Sequence, residues 1–203
     1  MAEIDNWVVR NAIAKLAKVR KERPDLRFAV NLSANAFETQ DVTEWVRSSL
    51  DKHSLPASSI IIEITESLAV RHLGFVEREM VSLRKLGCEM ALDDFGTGYS
   101  SLSYLQRLPM DFIKIDGCFI RDMLKNTVDQ KMVRLIGEVG REAGLHTVAE
   151  YVQNSPTLSL LGELSIEYAQ GTYIGRPVAV PSKRTMPATL SSKNAARPKL
   201  ARA

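Results

Sequence analysis

Five short apolar runs, each followed at its carboxyl end by an ionisable or amide side chain, constrain this chain more than any other feature. They are Leu26 to Asn31, Ile60 to Thr65, Cys88 to Asp93, Phe112 to Asp116 and His146 to Glu150. Continuous apolar runs of this length fit strands buried on both faces. Between them lie stretches with the 3.6-residue spacing of amphipathic helices. Val42, Trp45, Val46 and Leu50 mark one; Phe75, Val76, Met80, Leu83 and Leu86 another; Met132, Leu135, Ile136 and Val139 a third. Ile4 to Val19 is helical by the same test. Gly87 and Gly144 fall between helix and strand, where a left-handed cap is wanted, and Pro24 and Pro109 also precede strands. Strand and helix in alternation predict βα units on a parallel sheet, an α/β chain that is either doubly wound or a (β/α) barrel.

Hydrophobic residues make up 45% and charged residues 25% of the 203 positions, which excludes disordered, collagen-like and disulfide-scaffold classes. No apolar run reaches the ~18 to 20 residues that span a bilayer, and MAEIDNW lacks the basic start and apolar stretch of a leader, so the expected location is the cytoplasm. Cys88 and Cys118 stand singly and form no CxxC pair. The net charge of +3 belongs to the tail: Val178 to Ala203 holds six of the 27 cations and no acid, leaving 21 cations against 24 acids in residues 1–177. A body that binds nucleic-acid polymers is not indicated. The tail lacks any apolar period and is expected to be basic and disordered.

In a parallel barrel the carboxyl ends of all strands share one face, so Asn31, Glu63 with Glu66, Asp93 with Asp94, Lys114 with Asp116, and Glu150 would converge. A single acid after a strand is more often a helix cap. Successive strands ending this way exceed capping, and Glu63 and Lys114 lie inside apolar runs, where an unpaired charge is expensive. A carboxylate-rich cluster with one lysine selects Mg²⁺ or Mn²⁺ over zinc, because His53, His72 and His146 have no ligand spacing. Asp93 and Asp94 can both reach a metal if the chain turns at the following FGTG. Such a site suits hydrolysis of a phosphate ester, with Lys114 orienting water or stabilising developing negative charge.

The body resembles the EAL domain, the bacterial cyclic di-GMP phosphodiesterase, across residues 1–177. The resemblance is carried by NLS at Asn31, EITES at Glu63 to Ser67, DDFGTGYSSL at Asp93 to Leu102, KIDGCFI at Lys114 to Ile120, VAE ending at Glu150, AQG at Ala169 to Gly171 and GRP at Gly175 to Pro177. It implies a (β/α)8 TIM-type barrel that hydrolyses cyclic di-GMP to linear pGpG with two Mg²⁺ or Mn²⁺ ions. By the same resemblance, Asn31, Glu63, Asp93 and Asp94 hold metal, and Lys114 and Glu150 position or deprotonate water. Glu66 acts with the Asp94 to Tyr99 loop that couples substrate, metals and dimerisation, while Asp116 and Gln170 contact substrate. Expected partners are cyclic di-GMP, a second copy or an upstream domain, and no membrane segment.

The chain departs from the family in ways that shape these expectations. The Glu-Ala-Leu tripeptide is absent. By the family pattern the first two strands are missing, leaving about six of eight, with open edges, an under-filled inner face and an incomplete metal site. The usual AEGVE reads AEYVQ, so Tyr151 replaces glycine and Gln153 a carboxylate; Thr172 intervenes before Tyr173, and Cys118 stands where serine is common. Two functions remain: a phosphodiesterase that is weak or inactive as this truncated chain, or a catalytically dead domain that binds cyclic di-GMP or another protein.

Overall fold

A computed structural model describes residues 2–39, 41–98, 105, 107–178 and 201–202. Helix α1 (Ala2–Val19) leads into β1 (Phe28–Asn31), α2 (Ala34–Thr39), α3 (Val42–His53), a 3₁₀ turn (Ala57–Ser59) and β2 (Ile60–Thr65). There follow α4 (Glu66–Arg71), α5 (Leu73–Leu86), β3 (Glu89–Phe95), β4 (Phe112–Ile115), α6 (Gly117–Arg121) and α7 (Thr127–Glu142). The series ends with β5 (His146–Ala149), α8 (Ser155–Glu163), β6 (Tyr168–Ala169) and β7 (Ala201–Arg202). From β1 to β6 each strand pairs in parallel with the next in sequence. A doubly wound sheet reverses its strand order at a switch point. From β1 to β6 this sheet has no such reversal, so these six strands form the curled half of a barrel.

Local chemistry sets the element ends. Asp41 caps α3 by accepting from the Glu44 N–H at 2.8 Å, and Asn154 caps α8 by accepting from Thr157 N–H at 2.9 Å. Gly87 (φ 106°) and Gly144 (φ 70°) take the left-handed turns expected of them. The period of two along each strand then divides the side chains. Ile60, Ile62, Ile64, Met90, Leu92, Ile113 and Ile115 face outward into the core beneath the helices. Ala29, Ile61, Ala91, Phe112 and Val148 face inward with Tyr168 against them.

That inner layer corrects the expectation of an under-filled face, because its five residues are 0–5% exposed. Small alanines on β1 and β3 flank Ile61, and Tyr168 packs against the cluster. A second correction concerns Phe75 (53% exposed) and Leu135 (51% exposed), which lie outside the buried stripes of their helices. Helix α5 buries Val76, Met80 and Leu83; α7 buries Val133, Ile136, Gly137 and Gly140, and a Cβ on Gly140 would lie 2.7 Å from Thr147.

Of the tail, Val178 and the pair Ala201–Arg202 are described, the pair bridging β1 in parallel; the expectation of disorder otherwise lies outside the described residues. No helix among the described residues is long and apolar enough to cross a membrane.

Candidate functional site

The parallel register brings the strand ends to one rim. Asn31 lies beside Glu63, and Thr65 beside Asp93. Along a regular strand, Asp93 and Asp94 would point to opposite faces. The β3–β4 register shifts between Leu92 and Phe95, and Asp94 adopts φ 56°. This irregularity turns the second carboxylate toward the first. Carboxylate oxygens of Asp93, Asp94 and Glu150 consequently lie within 4.8 Å of one another.

Lys114, 2% exposed, sits among these acids. Its Nζ is 2.6 Å from Asp93 Oδ1, 2.8 Å from Glu150 Oε1 and 3.2 Å from Glu63 Oε2. One ammonium has three donors, which match three acceptors in number but leave the group short of positive charge. Burial first, then the Asp93, Glu150 and Asp116 carboxylates, push the Asp94 carboxyl above the ordinary aspartate range, with Lys114 opposing. Hard oxygen donors that repel one another this closely fit a divalent cation.

A turn and a cavity flank the cluster. Glu66, the first residue of α4, accepts from the Gly96 N–H at 3.0 Å and the Gly98 N–H at 3.4 Å, both through Oε2. Gly96 needs its φ of 98°, and a Cβ there would lie 2.8 Å from Phe119. Beyond the rim a cavity of about 340 Å³ is lined by Asp116, Arg121, Glu150, Tyr151, Gln153 and Gln170, among others. Asp116 caps α6 by accepting from Cys118 N–H at 2.7 Å, and the Gln170 N–H donates to Ala149 C=O at 2.8 Å.

A family model described as "EAL domain" matches residues 1–177. The chain belongs to the EAL domain family. It is 40% identical to the cyclic di-GMP phosphodiesterase PdeB of Shewanella oneidensis over 180 residues, 87% of this chain and 21% of that protein. To the cyclic di-GMP phosphodiesterase PdeF of Escherichia coli it is 36% identical over 176 residues, covering 87% and 24%. The chain spans about a quarter of the length of these curated relatives. Among solved structures, the PaMucR phosphodiesterase in complex with c-di-GMP superposes with a TM-score of 0.82 at 37% identity, covering 86% of this chain and 71% of that one.

Within this EAL domain, Glu63, Asp93, Asp94, Lys114 and Glu150 come together. The three clustered acids are Asp93, Asp94 and Glu150, and Lys114 joins Glu63 to Asp93 and Glu150. Glu66 holds the Gly96–Gly98 turn, Asp116 and Gln170 line the cavity, and Asn31 lies exposed beside Glu63. Tyr99, the far end of the expected loop, lies outside the described residues. Sequence reasoning missed Arg121 and Gly117, which seat Tyr151 from a five-residue helix too short to show a period.

Proposed function

We propose that this EAL domain binds cyclic di-GMP at the carboxyl-terminal rim with Mg²⁺ or Mn²⁺ and hydrolyses it to linear pGpG, weakly as residues 1–203 alone. The observation that carries this reading is Lys114 buried among Glu63, Asp93 and Glu150, with Asp94 beside them. The names of PdeB and PdeF support the substrate. Asp93, Asp94 and Glu150, with Asn31 and Glu63 adjoining, would hold the cations, which polarise phosphoryl oxygens and make water acidic. Lys114 keeps the acids in place and sets positive charge where the phosphate's negative charge develops. Glu150 takes the proton of the water that attacks phosphorus, and as the phosphorus–oxygen bond breaks the ribose oxygen takes a proton from solvent and leaves as a hydroxyl. Glu66 fixes the turn behind the rim, and Asp116 and Gln170 orient the ligand. Turnover is weak because the chain lacks the Glu-Ala-Leu carboxylate of its family.

The test is conversion of cyclic di-GMP to pGpG by the purified chain with Mn²⁺ or Mg²⁺. Slow, cation-dependent turnover that disappears in Asp93→Asn supports the reading, whereas fast turnover shows that the Glu-Ala-Leu carboxylate is dispensable. A second reading, binding without cleavage, is favoured by Tyr151 at φ 58° directly after Glu150. Calorimetric binding with no pGpG establishes that alternative, and absence of both binding and product overturns both.

A further inference from the structure

Tyr151 holds a left-handed backbone conformation, φ 58°, that is strained for a non-glycine residue, yet its side chain is not core. The residue remains 43% exposed. Its Cβ packs so closely on Gly117 that a Cβ there would lie 2.8 Å away. Four residues along α6, the Arg121 guanidinium lies 4.6 Å from the centre of the ring. Residues four apart share one side of a helix, so Gly117 and Arg121 meet Tyr151 from one side of α6. Strain, a seat that requires glycine and a cation against an exposed ring do little for stability. They do hold an aromatic plane in one orientation at the wall of the 340 Å³ cavity, which Glu150 shares with the Lys114 cluster.

The chemistry of that wall is selective. Aromatic planes stack bases, and an adjacent arginine adds a cation–π contribution. Asp116, Glu150, Gln153 and Gln170 line the same cavity and supply carboxylate and carboxamide oxygens. Guanine presents two adjacent donors on its Watson–Crick edge, N1–H and the 2-amino group, which such oxygens accept. Adenine presents a bare N1 there, which an acceptor rejects.

We propose that Tyr151, seated by Gly117 and Arg121, is a specificity-determining residue that stacks one guanine base of the dinucleotide beside the phosphate site. This assignment rests on the cyclic di-GMP reading above and deepens it.

Calorimetric titration of the full chain with cyclic di-GMP, in Ca²⁺ as a hard cation, tests it with Tyr151→Phe and Tyr151→Gly. Glycine adopts a left-handed φ freely, so Tyr151→Gly keeps the fold, and a thermal melt checks this. Tyr151→Gly is expected to bind about tenfold more weakly than the wild type, with Tyr151→Phe within about twofold. Equal or tighter binding by Tyr151→Gly overturns the assignment, because a ring that merely crowds the site gives that result. If the wild type binds no cyclic di-GMP, the functional reading fails, and GMP and AMP titrations decide the platform separately. A preference for GMP that Tyr151→Gly abolishes supports it; no preference, or no binding of either, overturns it.

Discussion

At the carboxyl-terminal rim one buried lysine serves Glu63, Asp93 and Glu150, with Asp94 adding a further negative charge. At the amino-terminal end of the same strands, Arg27 pairs with Glu89 and His146 with Glu167, one to one and partly exposed. Aromatic rings close that end: Phe112 lies 5.3 Å from His146 and 6.0 Å from Tyr168 between ring centres, and Arg27 caps Phe112 at 5.8 Å. Matched, solvated pairs cost little and add little, about 0 to 1 kcal/mol each. A buried group with excess negative charge gives up stability unless something else neutralises it. The two ends thus separate a region arranged for packing from one arranged for a positively charged ligand.

Lys114→Met attacks that contrast most directly. It strands Glu63, Asp93 and Glu150 without their shared ammonium, and removing one partner of a buried pair costs about 3 to 5 kcal/mol, a large part of a typical ~5 to 15. Urea denaturation should show this loss, and saturating Mn²⁺ should recover part of it. Unchanged stability would break the comparison. Glu66→Gln is next: it weakens two hydrogen bonds to a charged oxygen, from Gly96 and Gly98, and should cost roughly 1.5 to 3 kcal/mol. Amide exchange should quicken at the N–H groups of residues 96 and 98 and stay unchanged in β4 and β5.

The smallest effect belongs to the opposite end. Burial first, and then Asp111, push the Glu89 carboxyl above its ordinary value of 4.5, with Arg27 and His146 acting against them. A carboxyl whose pKa is raised on folding binds more protons folded than unfolded, so its contribution to stability falls as pH rises through the folded pKa. Glu89→Gln should therefore leave stability unchanged or raise it, by no more than about 1 kcal/mol at pH 7. Its charge-dependent part should fade as pH drops below 4.5. A large loss at neutral pH would show that this end depends on its ion pairs after all.

Much of this contrast was legible before any coordinates. The runs ending at Asn31, Thr65, Asp93, Asp116 and Glu150 became β1 to β5, because buried parallel strands leave a strong apolar signal. β6, two residues long, left none. Convergence of the acids followed from strand direction alone. The joint reach of Asp93 and Asp94 was expected from a turn at FGTG, but the register irregularity that accompanies it, with Asp94 itself at φ 56°, is something spacing cannot express. Nor could sequence foresee that Ala29, Ile61, Ala91, Phe112 and Val148 would be buried together on the inner face, since that depends on how the strands are arranged in space. Tyr151 was visible as a departure from its family, but its seat on Gly117 and Arg121 required three dimensions.

The most direct measurement is calorimetric titration of Mn²⁺ into the purified chain and into Asp93→Asn. The rim account predicts saturable binding to the wild type, weakened by more than about tenfold in the variant, a bound taken from substitutions outside the ligand shell. Equal binding to both proteins, or none to either, would contradict it.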